Sequence, residues 1–179
     1  MQQTDLRYPI GKYQKPTEFN QQLIQSWIRD IRDFPGLLKT EVSDLTDKQL
    51  SWRYRPDGWT IRQVVHHCAD SHINSIMRFK LSLTEDKPTI RPYFEDRWAE
   101  LPDTTNAPIE WSLQLLEGLH QKWVYLLESL NEDDLKKVFV HPEHGREISL
   151  RENIALYAWH GNHHLAHVRQ AKDHKGEFD

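Results

Sequence analysis

The chain has 179 residues, 37% of them hydrophobic, and a formal net charge of −4, a length that suffices for one domain burying roughly 70% of its unfolded surface. Lysines and arginines are scattered rather than massed, which leaves no electrostatic footprint for nucleic acid or anionic lipid, and no apolar run approaches the roughly 20 residues that span a bilayer. Cys68 is the only cysteine, so an intrachain disulfide is excluded, and Met1-Gln2-Gln3-Thr4-Asp5 carries neither the basic nor the apolar region of a signal peptide; a cytoplasmic location and a small-molecule partner are expected.

The reading is of a single domain over 1–179, with 1–16 as an extended N-terminal segment. Seven glycines and the lack of strand alternation argue for an all-α protein. A first helix follows Pro16-Thr17 through Leu23, Trp27 and Ile31, with Pro35-Gly36 expected to bend it before Leu37. Thr46 with Gln49 fits a capping box, in which side chains at both ends of the first turn satisfy its free N–H groups, and a short helical turn should follow. The same signature recurs at Thr60 with Gln63, opening a second long helix to about Leu83, and at Ser149 with Glu152, opening a last one to about Lys172. A third long helix should begin at Pro108, tolerated at a first helical position, and run through Leu115 and Leu119 to Leu130. The result is a four-helix bundle. Residues 85–107, with Pro88, Pro92 and Pro102, make a long proline-containing connection that serves either as a lid or as aromatic packing over the bundle end. Residues 138–148 read as a small hairpin around Pro142-Glu143-His144-Gly145.

Of eleven histidines, seven lie in two clusters on the second and last helices: His66, His67 and His72, then His160, His163, His164 and His167. Imidazole is a common ligand for zinc, nickel and related ions, and two imidazoles one turn apart can reach one ion. On a helical wheel, His164 lies about 40° from His160, on the face carrying Tyr157, Ile154 and Val168, whereas His163 falls about 60° to the other side and His167 about 20°. His160 and His164 are therefore the inward pair. On the second helix Thr60, Ser71, Asn74 and Arg78 lie within about 40° of His67, a polar lane bordering the apolar face, so His67 is the third candidate. His72 reads as a hydrogen-bonded core residue and His66, about 100° from His67, as solvated. His163 and His167 read as supporting or surface residues. Asp70, about 60° from His67, is at most a distant participant, and Arg78, Arg91 and Arg97 are candidates to bind a substrate carboxylate. Glu117-Gly118-Leu119-His120 has the spacing of a di-iron bundle, but that centre needs two such motifs. A Cys68–His67 nucleophile pair fails because adjacent helical residues diverge by about 100°.

Gly58-Trp59-Thr60 followed by Val64, His67, Asp70, Ser71 and His72, together with Tyr157-x-Trp159-His160-x-x-His163-His164-x-x-His167, resembles the DinB-like superfamily and within it the YfiT-like metal-dependent hydrolases. The likeness extends to Tyr8-Pro9-Ile10-Gly11 and to Arg78-Phe79-Lys80-Leu81-Ser82-Leu83-Thr84. The resemblance implies a DinB-type four-helix bundle, commonly a homodimer, with one divalent ion per subunit held by His67, His160 and His164. Some relatives look like thiol S-transferases that use low-molecular-weight thiols such as bacillithiol.

Three neutral ligands leave one position open on a tetrahedral zinc, the arrangement of catalytic sites. Water there points to hydrolysis, and a thiol there points to S-transfer to an electrophile. The residues favour transfer, because no acidic residue is placed by the pattern beside the three histidines as a general base. Zinc is the first expectation for the metal and nickel the other candidate. A non-enzymatic alternative is a stress-related bundle with a structural ion, against which stands the chain's length, ample for a core without a metal staple.

Overall fold

The computed structural model describes residues 5–143 and 145–178. Residues 1–4 of the expected N-terminal segment, and His144 of the expected hairpin turn, lie outside the described residues. The element order is α1 (Gln21–Val42), α2 (Asp47–Leu50), α3 (Ile61–Thr84), α4 (Glu95–Trp98), α5 (Pro102–Thr105), α6 (Ile109–Ser129), α7 (Glu132–Lys136), β1 (Val138–His141), β2 (Arg146–Ser149) and α8 (Leu150–Asp173). The long helices α1, α3, α6 and α8 form the four-helix bundle. Helix α1 packs mainly on α8 and α6, and α3 on the same two, so the order around the bundle is α1, α6, α3, α8.

Local chemistry sets these boundaries. Thr60 and Gln63 form the full capping box of α3, as Thr46 and Gln49 do for α2, each satisfying N–H groups that a helix start leaves free. Helix α8 is capped by Ser149, but its box is only half made: the Glu152 carboxylate is drawn away to Lys15, at 2.9 Å, and to Arg146. Helix α1 begins later than expected. Asn20 caps it by accepting from the Leu23 N–H at 2.9 Å, and the helix continues through Pro35 to Val42. Pro108 is the cap of α6 rather than its first residue. The strands pair antiparallel, Val138 with Ser149 through His141 with Arg146, and the hairpin leads directly into α8.

The core divides into two apolar clusters along the bundle. One holds Ile28, Ile31, Ile76, Phe79, Trp123 and Ile154; the other holds Phe34, Leu38, Val65, Cys68, Leu116 and Leu165. The break falls between Ile31 and Phe34 on α1, Ala69 and Ile76 on α3, Leu116 and Trp123 on α6, and Ala158 and Leu165 on α8. At that level stand His72, His120, His160, His163 and His164, a histidine layer across the bundle. Gly161 lets α8 approach α1 there, since a Cβ on it would lie 2.9 Å from the Phe34 ring. Among the described residues no helix is long and apolar enough to cross a membrane.

Candidate metal centre

With α3 packed against α8, His67 of one meets His160 and His164 of the other. The three offer ligand atoms that all lie within 4.8 Å of one another. Their ring centroids are 5.4 Å (His67–His160), 4.8 Å (His67–His164) and 4.5 Å (His160–His164) apart. Trp59 covers the His67 ring at 4.6 Å. Burial lowers the His67 pKa to about 4, with a further push from His163, and drives those of His160 and His164 well below the usual value, reinforced by the neighbouring histidines. All three are therefore neutral at neutral pH, each with a lone pair that a cation can bind. Ligation requires deprotonated imidazole, so this donor set fits a divalent ion.

The surrounding histidines divide by contact. His72, 1% exposed, is a hydrogen-bonded core residue, with His120 and His160 as its partners. His167 stacks on Tyr54 at 3.8 Å and touches both His164 and the Arg7 carbonyl. His163 is buried between Tyr8 and Trp159, with ring centroids 5.9 and 4.5 Å away. His66 corrects the expectation of a solvated side chain. It is buried, with its ring nitrogens 2.7 Å from the Ser112 hydroxyl and 3.2 Å from the Ala107 carbonyl, because α6 and the turn before it cover the side that the wheel left polar.

Ser71 Oγ is 3.4 Å from His160 Nε2 and 3.2 Å from the Tyr157 hydroxyl. Asn74 instead donates to the Asp70 carbonyl of its own helix at 2.9 Å. The Asp70 carboxyl is raised to about 6 by burial and by repulsion from Asp103 on α5. Arg78 and Arg97 line a cavity of ≈ 430 Å³ with Ser71, Tyr93, Tyr157 and His160, while Arg91 is exposed. A second cavity of ≈ 380 Å³ is lined by all three central histidines with Tyr8, Tyr54 and Trp59. A third, ≈ 420 Å³, lies between α1 and α6 and is bordered by none of the three.

Glu95 and Asp96 of α4 line both of the first two cavities. They are acidic groups on the walls of the cavities that His160 lines, which the helical pattern of the sequence did not indicate. The Glu95 carboxyl is raised by burial first, then by Asp96 and Glu143. No periodicity ties this four-residue turn to either histidine helix, and only the path of the 85–107 connection brings it there. The connection thus supplies cavity wall. The extended N-terminal segment gave no sign of where it docks: Trp159 Nε1 donates to the Gly11 carbonyl at 3.3 Å, and Gln170 to that of Leu6 at 2.9 Å, laying the segment along α8.

The model of the DinB superfamily matches residues 24–168. A Bacillus cereus (strain 03BB102) protein named "Putative metal-dependent hydrolase" is 54% identical over 164 residues, 92% of this chain and 94% of that protein. A Bacillus anthracis (strain A0248) protein of the same name is 53% identical over the same shares of the two chains. The solved structure of YfiT from Bacillus subtilis, described as "a probable metal-dependent hydrolase with an unusual four-helix bundle topology", superimposes with a TM-score of 0.93 at 44% identity, covering 97% of this chain and 99% of that one. On the family match and these relatives together, the chain belongs to the DinB superfamily.

Proposed function

We propose that this protein is a metal-dependent enzyme in which His67, His160 and His164 hold one divalent ion, zinc first and nickel second, and that it joins a low-molecular-weight thiol to an electrophile. The observation that carries the transfer reading is the pair of cavities that meet at His160, Glu95 and Asp96, room for two reactants beside one centre. When bound, the ion supplies a Lewis acid that stabilises the deprotonated form of a thiol at its open side. In this reading Glu95 or Asp96, on the shared wall of the two cavities, takes the thiol proton. Arg78 and Arg97 offer guanidinium groups to a carboxylate on either reactant. In the transfer a sulfur–carbon bond forms, the bond from that carbon to its leaving group breaks, and the leaving group departs with the electron pair and recovers the proton. A homodimer belongs to the same proposal. Trp111, Leu115 and Tyr125, which are exposed, fall within about 40° of Trp111 on one stripe of α6, a surface suited to a second copy.

Hydrolysis is the second reading, favoured by the same two carboxylates and by the names of the relatives. One experiment separates the two. Purified protein is assayed for metal and supplied with bacillithiol, glutathione or cysteine and a generic electrophile, and in parallel with simple esters and amides, using His160→Ala as the control. Thiol-dependent loss of electrophile that the variant lacks supports transfer, whereas thiol-independent cleavage that the variant lacks assigns hydrolysis. Equal rates for wild type and variant sink both.

A further inference from the structure

Pro35 has no N–H, so the carbonyl four residues earlier in α1, that of Ile31, has no helical donor. The ring of His120, from α6, takes the place of that donor: its Nδ1 lies 2.6 Å from the Ile31 oxygen. A carbonyl only accepts, so Nδ1 of His120 carries the hydrogen and its Nε2 carries the lone pair. That Nε2 is 2.7 Å from His72 Nδ1, which must therefore donate, leaving His72 Nε2 as the acceptor. His72 Nε2 is 3.1 Å from His160 Nδ1, which donates in turn, and the lone pair of His160 is left on Nε2. A shorter chain reaches the other α8 histidine. His167 Nε2 is 3.1 Å from the Arg7 carbonyl, so its Nδ1 accepts, and that atom is 3.4 Å from His164 Nδ1. His164 too is left with its lone pair on Nε2. Both chains hold their direction only while every ring is neutral. The geometry requires it: each nitrogen-to-nitrogen link, at 2.7, 3.1 and 3.4 Å, needs one ring nitrogen to accept, which a doubly protonated imidazolium cannot do.

We propose that two backbone carbonyls fix the tautomers of the α8 metal ligands through intervening histidines, Ile31 through His120 and His72 to His160, and Arg7 through His167 to His164. His72, His120 and His167 are then positioning residues of the metal centre, a role that rests on the metal reading above. Partners on the far nitrogen of a ligating histidine orient it and raise its basicity, and losing one weakens metal binding by about 10–100-fold. In this bundle the partners are themselves histidines, and the far end of one chain is a proline-released carbonyl in a helix that carries no ligand.

Nitrogen–proton correlation spectra of the imidazoles, recorded on metal-free protein at pH 7.5, read the tautomers directly. The expected result is Nδ1–H on His72, His120, His160 and His164 and Nε2–H on His167. Zinc affinity is measured by competition with a chromophoric chelator for wild type, His120→Phe and His120→Gln. Phenylalanine fills the layer but carries neither donor nor acceptor, and affinity should fall at least tenfold. Glutamine offers an amide hydrogen to Ile31 and an amide oxygen to His72, and affinity should return to within about threefold of wild type. A role limited to packing gives the opposite ranking, with the apolar ring the better tolerated in a buried layer. Nε2–H on His72 or His160, or wild-type affinity in His120→Phe, overturns the proposal while leaving the three-histidine site standing. A wild type that binds no divalent ion while showing the expected tautomers overturns the metal reading, and the positioning role with it.

Discussion

Glu95 is the side chain whose chemistry the proposed reaction leans on most outside the histidines. It lines both cavities at the centre, and although the residue is exposed, partial desolvation and then the neighbouring Asp96 and Glu143 raise its carboxyl from the ordinary value. Glu95→Gln should lower kcat/KM by about 100-fold, within the range for loss of a general base, without changing the metal content. Metal analysis beside steady-state kinetics checks both halves. An unchanged kcat/KM removes Glu95 from the reaction. His72 shows how residue-scale reading succeeds in kind and stops short in identity. A histidine on an apolar face is expected to be hydrogen-bonded, and it is, but that one partner is His120 depends on α6 packing beside α3, which the sequence does not reveal.

At the scale of elements, the close contact between α1 and α8 is the one most sensitive to a single atom. Gly161 faces Phe34, whose ring packs against His72 at 5.1 Å and His120 at 5.7 Å between centroids. A Cβ at Gly161 would lie 2.9 and 3.2 Å from two carbons of that ring, which must move into the histidine layer. Gly161→Ala gains roughly 1 kcal/mol from removing a helical glycine and loses about 1–3 kcal/mol to overpacking. We expect net destabilisation of up to about 2 kcal/mol, a Tm lower by up to roughly 8 °C for a chain of this size, with weaker zinc binding alongside. A higher Tm with unaltered zinc binding contradicts the tight packing. The helices themselves were legible to within a few residues wherever a cap is a local side-chain event, as at Thr60 and Thr46. Helix α1 starts at Gln21, later than its expected start after Pro16-Thr17, because Asn20 accepts from the Leu23 N–H and so opens the first turn there.

The whole molecule carries several neutral buried histidines, and acid should act on all of them together. The unfolded chain protonates histidine near 6.5, while folded His67, His120 and His163 wait until about pH 4 and His167 until about 3. Between those limits the unfolded state holds more protons, so stability is full above about pH 6.5 and falls as pH drops toward 4, by up to about 1.4 kcal/mol per pH unit for each group. Asp70 works the other way. Its folded pKa, raised to about 6, adds stability as pH falls from 6 toward its unfolded value near 4, one group against at least four. Urea unfolding of metal-free protein should give a constant midpoint from pH 7 to 8 and a steep loss below 6, with a slope above two protons. A flat profile between pH 6 and 4.5 contradicts the neutral histidine layer. For the proposed dimer, light scattering should give twice the 21.4 kDa chain mass for wild type and the single chain mass for Trp111→Glu. A monomeric wild type removes the dimer.

Sequence by itself determined the four long helices, the hairpin and the inward placement of His67, His160 and His164, because caps, helical period and the side of a wheel are local properties of the chain. Tertiary structure alone decided that α4 brings Glu95 and Asp96 to the walls of the two cavities that His160 lines, that the N-terminal segment presents Tyr8 and the Arg7 carbonyl to α8, and that Pro35 of α1 frees a carbonyl for His120 of α6. Each of these joins residues far apart in the chain, and no periodicity connects them. Their meeting is fixed by which helices pack together and by where buried polar groups find partners, and both are settled only when the bundle closes.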